Sequence, residues 1–164
     1  MSTTNVKDVK AAHEKCEMLV SMLKKEPWFK KEGWVVRSGD FPPNDPDCVS
    51  INIFKKHWFE GRIHIETYFG YRGTYLKKSY VTVHISYEPV ITRTTINRIK
   101  ISKPFSAKAI PIVKKWQGYT ISAGKYGKQP FTFKLVAGPD MVAIIHKEIS
   151  RICRELGGIM DEAI

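Results

Sequence analysis

The sequence predicts an α+β fold: a mainly antiparallel sheet of about five to seven strands with N- and C-terminal amphipathic helices packed on one face. Three observations predict it. Apolar residues recur at helical spacing near the two ends of the 164-residue chain, they alternate with polar residues through the middle, and glycine-rich turns separate the alternating runs. The length fits one domain over 1–164, divided into an N-terminal helix at 1–25, a basic β-rich body at 33–136 and a C-terminal helix at 139–157.

The first helix follows from Val6, Val9, Cys16, Leu19 and Leu23, with Thr4 or Asn5 available as a cap and Pro27 limiting it near Lys25. Trp34 to Arg37 is a weaker strand candidate. Gly39 to Asp47 has the composition of a loop, too short to divide the chain into two domains. The strongest strands are those at Val49–Phe54, Arg62–Phe69 and Val81–Glu88, where Val, Ile and aromatic residues alternate with Ser, Asn, His, Glu and Thr. Turns are expected at Gly61, at Gly70 to Gly73 and at Gly124 to Gly127. Thr95–Ile101, Tyr119–Ala123 and Phe131–Val136 are further strand candidates, and Ser106–Trp116 reads as a short helix confined to one side of Pro111. Gly138, Pro139 and Asp140 signal the start of the last helix. Met141, Ile145, Ile149, Ile152 and Leu156 form its apolar face, and Gly157 with Gly158 is expected to stop it.

Both helices have one apolar stripe, which predicts that they cover one face of the sheet and leave the other polar and solvated. The odd cysteine count (Cys16, Cys48, Cys153), without a CxxC pair or zinc-ligand spacing, points to buried free thiols in a reducing compartment. The opening ten residues lack an apolar leader run, and no stretch approaches the ~20 apolar residues of a membrane span. The expectation is a cytoplasmic protein with no membrane partner.

The net charge of +11 is concentrated in the middle of the chain. Residues 62–136 hold fourteen Lys and Arg against only Glu66 and Glu88, whereas the first 61 residues hold ten basic and nine acidic side chains. A structured cationic segment attracts polyanions across a Debye length, so nucleic acid or another polyanion is the leading partner class and an acidic protein is the next. Three turns combine cations with aromatic residues, the pairing that phosphate neutralisation and base stacking require. They supply Lys55, Lys56 and Trp58; Tyr71, Arg72, Tyr75, Lys77 and Lys78; and Lys125, Tyr126 and Lys128. Lys114 and Lys115, beside Trp116, repeat the pattern. The tryptophans at 28, 34, 58 and 116 also read as core or boundary anchors. His13 and His146 fall on helices, as surface or boundary residues.

The polar sheet face carries the candidate chemistry. Pairing 62–69 with 79–88 so that apolar faces agree sets His64 opposite His84 and Glu66 opposite Thr82, with Asn52 expected beside His64 on the same face. Two imidazoles and a carboxylate can exchange protons near neutral pH or ligate a divalent metal. The sequence contains neither GxxxxGK[ST] nor GxGxxG, and no HExxH or GxSxG, so no cofactor and no resident metal is assigned. Three function classes follow. The first is a basic module for nucleic acid or polyanions. The second is a small enzyme for a phosphate-containing substrate, using His64, Glu66 and His84. The third is an interaction or inhibitor domain that docks an acidic protein.

Overall fold

The computed structural model describes residues 6–40, 48–71, 74–85, 98–122 and 129–164. Helix α1 (Val6–Lys25) and a single turn α2 (Pro27–Lys31) precede strands β1 (Trp34–Asp40) and β2 (Val49–Lys55). Strands β3 (Ile63–Tyr71), β4 (Thr74–Tyr75) and β5 (Lys78–Ile85) follow a short 3-10 turn at Phe59–Gly61. Helix α3 (Arg98–Val113), strands β6 (Tyr119–Ile121) and β7 (Phe131–Val136), and helix α4 (Met141–Ala163) complete the order. The expected caps Thr4 and Asn5 lie outside the described residues.

The sheet is antiparallel throughout, in the order β1-β2-β3-β5-β7-β6, with β4 paired to β3 off this path. Side chains alternate across a strand, so Ile51, Ile53, Ile63, Ile65, Phe69, Val81, Val83 and Ile85 share one face, and all are buried. Against them pack Cys16, Leu19 and Leu23 of α1 and Met141, Ile145, Ile149, Ile152 and Leu156 of α4, the stripes read from the sequence. Each fully buried aliphatic side chain contributes about 1.5–3 kcal/mol. Helix α3 packs mainly on α4, and the Phe105 and Phe131 rings stand 6.4 Å apart.

Three sequence expectations change. Residues 98–101 are helical, not strand, and Thr95 to Asn97 lie outside the described residues. The helix expected at 106–116 begins at Arg98 and contains both Pro104 and Pro111. A proline inside a helix costs ~3 kcal/mol, and here a buried line of Ile101, Phe105, Ala109 and Val113, spaced four apart, offsets it. Helix α4 does not stop at Gly157–Gly158 but runs on to Ala163. Gly157 is there for close approach rather than termination: a Cβ on it would lie 2.7 Å from Cζ2 of the buried Trp34 ring.

The two extra turns of α4 carry Asp161 to the β2–β3 connection. Its Oδ2 accepts from Lys55 Nζ at 2.6 Å, and its Oδ1 accepts from Trp58 Nε1 and meets His57 Nε2, both at 2.7 Å. Partial burial pushes this carboxyl up, but the hydrogen bonds from Lys55, Trp58 and His57 prevail and hold it below the ordinary 3.8. A depressed carboxylate contributes stability that is present above its unfolded value and lost as pH falls through its folded value. Asp161→Asn keeps one acceptor oxygen for Trp58 and removes the charge together with the oxygen that accepts from Lys55. Its melting-temperature deficit relative to wild type is therefore expected at about pH 7 and should shrink below about pH 4. A deficit that is constant down to acid pH would show that the charge at Asp161 contributes nothing.

Candidate functional site on the second sheet face

The sheet register forms the site. His64 stands opposite His84, Glu66 opposite Thr82 on one side and Asn52 on the other, and Tyr68, one residue beyond the Thr67↔Val81 pair, faces Tyr80. All project from the face away from α1 and α4. The expected pairing of His64 with His84 and of Glu66 with Thr82 therefore holds, and Asn52 lies one row over, beside Glu66 rather than His64.

The centre of this face is buried rather than solvated as expected, while its rim is exposed. Glu66 is 2% exposed, His64 4%, and Asn52 and Thr82 are equally buried. Five side chains surround the Glu66 carboxylate. Oε2 faces His64 Nε2 at 3.3 Å and His84 Nδ1 at 3.2 Å and accepts from the Tyr68 hydroxyl at 3.2 Å. Oε1 accepts from Gln129 Nε2 at 2.6 Å and from the Tyr80 hydroxyl at 3.3 Å. The histidine rings meet edge-on with centroids 5.0 Å apart, and the Tyr68 and Tyr80 rings stand 5.1 Å apart.

Burial alone pushes the Glu66 carboxyl up. The hydrogen bonds and charge attraction of His64 and His84 outweigh it, so the group is held well below the usual carboxylate range and is ionised. Burial, and then the negative charge of Glu66, push the Tyr68 and Tyr80 phenols well above their ordinary value, so both remain neutral donors.

His64 is fixed from behind, where its Nδ1 donates to the Gly61 carbonyl at 2.6 Å. Gly61 has φ +91°, a left-handed conformation that favours glycine and turns the chain into β3. His84 is the accessible member, its side chain 25% exposed. One atom from each of His64, Glu66 and His84 lies within 4.8 Å of the other two, the only such group of metal-ligating side chains among the described residues. Around this centre the same face bears exposed cations: Arg37, paired with Asn52 in register; Lys134, paired with Tyr80; and Lys78, two residues before Tyr80.

The proposed polyanion-contact residues are not gathered in the same way. The β2–β3 and β3–β5 connections lie at opposite ends of the sheet, so Lys56 is remote from Lys77 and Lys78, and all three are exposed. Lys55 is half-buried and paired with Asp161. Trp58 is 1% exposed and Tyr75 is buried against Gly70, so neither presents a ring for base stacking; both belong to the core. Lys114 and Lys115 are exposed just after α3, in the helical layer. Tyr71 ends β3, and Arg72, Lys125, Tyr126 and Lys128 lie outside the described residues. His13 and His146 are half-buried, as expected.

Sequence reading missed Tyr68, Tyr80, Gln129, Arg37, Lys134 and Asp161. Strand parity could have found the two tyrosines, because they share a face with Glu66. Gln129 precedes β7 and has no periodicity to mark it. No protein-family model matches the chain, and no curated protein or solved structure is significantly similar to it. The fold and the site define an α+β protein with an ionised carboxylate and two imidazoles enclosed in the uncovered face of its sheet.

Proposed function

We infer that this protein is a small hydrolytic enzyme for a phosphate-containing anion, working on the polar sheet face at His64, Glu66 and His84. One observation carries the reading: two imidazole nitrogens converge at 3.2–3.3 Å on a single oxygen of a carboxylate that is 2% exposed. Enclosing three ionisable groups adds little stability compared with apolar residues of the same volume, whereas charged groups held in a fixed array suit catalysis. Each residue has its part. Glu66 anchors both rings, His64 is locked by Gly61, and His84 is the member that a solute reaches. Arg37, Lys78 and Lys134 at the rim raise the local concentration of an anion. In ester hydrolysis the oxygen of water forms the new bond to phosphorus, the alcohol oxygen leaves, and the proton lost by water is matched by one gained by the leaving oxygen. The centre manages that exchange.

The test is turnover of phosphomonoester, phosphodiester and pyrophosphate substrates by wild type and His84→Ala. His84→Ala is expected to lose about 10²–10⁴-fold in kcat/KM with unchanged circular dichroism. Lys134→Ala is expected to raise KM and leave kcat unaltered. Full activity in His84→Ala, or no turnover of any of these esters by wild type, would overturn the reading.

A second reading, a nucleic-acid or other polyanion surface, is favoured by the exposed Lys100, Lys103, Lys108, Lys114 and Lys115 along α3 and the turn after it. The sequence contains no acid between Glu88 and Asp140. An acidic protein is an alternative partner for this surface. Anisotropy of labelled RNA and DNA against salt tests it: a linear loss of log affinity with log salt is expected, and heparin should displace the ligand. A complex that resists heparin would instead indicate a shape-specific protein partner. The buried free thiols Cys16, Cys48 and Cys153 support a reducing, cytoplasmic setting, and burial pushes the Cys153 thiol well up, making it inert. No helix among the described residues is long and apolar enough to cross a membrane.

A further inference from the structure

We propose that His64 Nε2, Glu66 Oε2 and His84 Nδ1 are the ligands of a divalent transition-metal ion of the zinc class. The proposal rests on the enzymatic reading of the same residues and names how the centre works. His64 supplies the first argument. The Gly61 carbonyl can only accept, so the 2.6 Å contact places the proton of a neutral His64 on Nδ1. Nε2 then directs its lone pair at Glu66 Oε2, 3.3 Å away, which is also an acceptor. Two acceptors facing each other in a buried site require a positive charge between them, which is a second proton on His64 in the metal-free protein and the ion when one is bound.

The distances leave room for a metal ion. Charge-assisted N–H···O bonds close to about 2.7–2.9 Å. The contacts of both imidazoles with Oε2 are longer, 3.3 and 3.2 Å, although the carboxylate is free to be gripped closely, as the 2.6 Å bond from Gln129 to its other oxygen shows. Two donors each about 2.0–2.1 Å from a tetrahedral ion stand about 3.3–3.4 Å apart, which matches the two imidazole–carboxylate separations; the three atoms lie within 4.8 Å of one another, so the two imidazoles would close toward the ion on binding. The strands present the set well. His64 and His84 are directly opposite in register and Glu66 is two residues on, so three rigid positions of one sheet face converge.

The surroundings also fit. A metal-ligating histidine ordinarily donates its other ring N–H to a carbonyl or carboxylate, as His64 does to Gly61, and a ligating carboxylate is itself hydrogen-bonded, as Oε1 is by Gln129 and Tyr80. Two histidines and one glutamate leave a fourth position for water or substrate, which the partial exposure of His84 places on its side of the cluster. An ion there would polarise a phosphoryl oxygen brought in by the rim cations.

The experiment uses the full chain, stripped with chelator, incubated with Zn²⁺ or Co²⁺, desalted, and measured by elemental analysis and by the visible absorption of Co²⁺. About one equivalent per chain is expected to be retained, with a Co²⁺ spectrum of low-coordinate type. Glu66→Gln and His84→Ala should each weaken retention by about 100-fold or more. Urea unfolding of each variant shows whether it is folded. His57→Ala, which removes the imidazole beside Asp161, should retain the ion fully. Failure of wild type to retain either ion, or equal retention by folded Glu66→Gln and His84→Ala, would overturn the proposal. If wild type turns over a phosphate ester in excess chelator and His84→Ala does not, the metal proposal fails and the enzymatic reading stands on acid–base chemistry. If the ion is held at these residues but no ester is turned over, the metal site stands and the enzymatic reading fails.

Discussion

Glu66→Ala is expected to lower the unfolding free energy of the chelator-treated protein by about 3–5 kcal/mol, the scale found when one partner of a buried charged pair is removed. The substitution deletes the acceptor for five groups at once: two imidazoles, two phenols and the Gln129 amide. Tyr68 and Tyr80 also bond each other and Tyr80 meets Gln129, but all five groups lose their bond to the charge, and a buried donor left unpaired costs about 1–3 kcal/mol. A domain with a total stability of about 5–15 kcal/mol loses much of it. Glu66→Gln preserves volume and one acceptor oxygen, so it should cost less, about 2 kcal/mol, and supply a folded variant for functional work. Urea unfolding followed by two spectroscopic probes measures both. The expected outcome is a lower midpoint with an unchanged denaturant slope. A loss of less than about 1 kcal/mol for Glu66→Ala would mean that the five contacts contribute little and that water replaces the carboxylate readily.

Trp58→Ala is expected to cost a comparable ~3–5 kcal/mol through a different mechanism, creation of a cavity. Trp58 is 1% exposed, meets Trp34 edge-on at 5.1 Å and lies among Val83, Phe105, Ile152, Leu156 and Met160. The layers between the sheet and helices α3 and α4 would lose the side chain that joins them. Trp58→Phe retains most of the packing and removes the indole N–H that donates to Asp161, so a smaller loss of about 1.5–3 kcal/mol is expected. The pair also separates two roles. If Trp58 were a base-stacking platform, Trp58→Ala would lower the affinity for RNA or DNA and leave the urea midpoint near that of wild type. The structure predicts the reverse: a large fall in the midpoint, with Trp58→Phe binding polyanions as wild type does.

Much of the site could be read in the strands themselves. His64, Glu66 and His84 alternate with Ile63, Ile65, Val83 and Ile85. A shift of one residue would turn the isoleucines and valines out to solvent, so hydrophobic burial selects the register that brings the two histidines together. The loop-tip reading failed at Lys55, Trp58 and Tyr75 because lysine next to tryptophan or tyrosine describes a packed turn as well as a nucleic-acid contact. Only Asp161, 103 residues from Trp58, decides between them. The same distant residue explains why α4 continues past Gly157 and Gly158. Glycine's low helix propensity costs ~1 kcal/mol per position, less than is gained from burying Met160 and forming the Asp161 bonds.

The sequence by itself determined the α+β class, the positions of the principal strands along the chain, the two terminal helices, their buried stripes and the face on which Glu66 and the histidines lie. These are properties of periods two and 3.6, written in neighbouring residues and enforced by hydrophobic burial. Only the tertiary structure decided that the centre of the polar face would be buried rather than solvated, and that Tyr68, Tyr80 and Gln129 would close on one carboxylate. Those outcomes depend on desolvation and on hydrogen bonds between groups up to 63 residues apart, which no local pattern encodes.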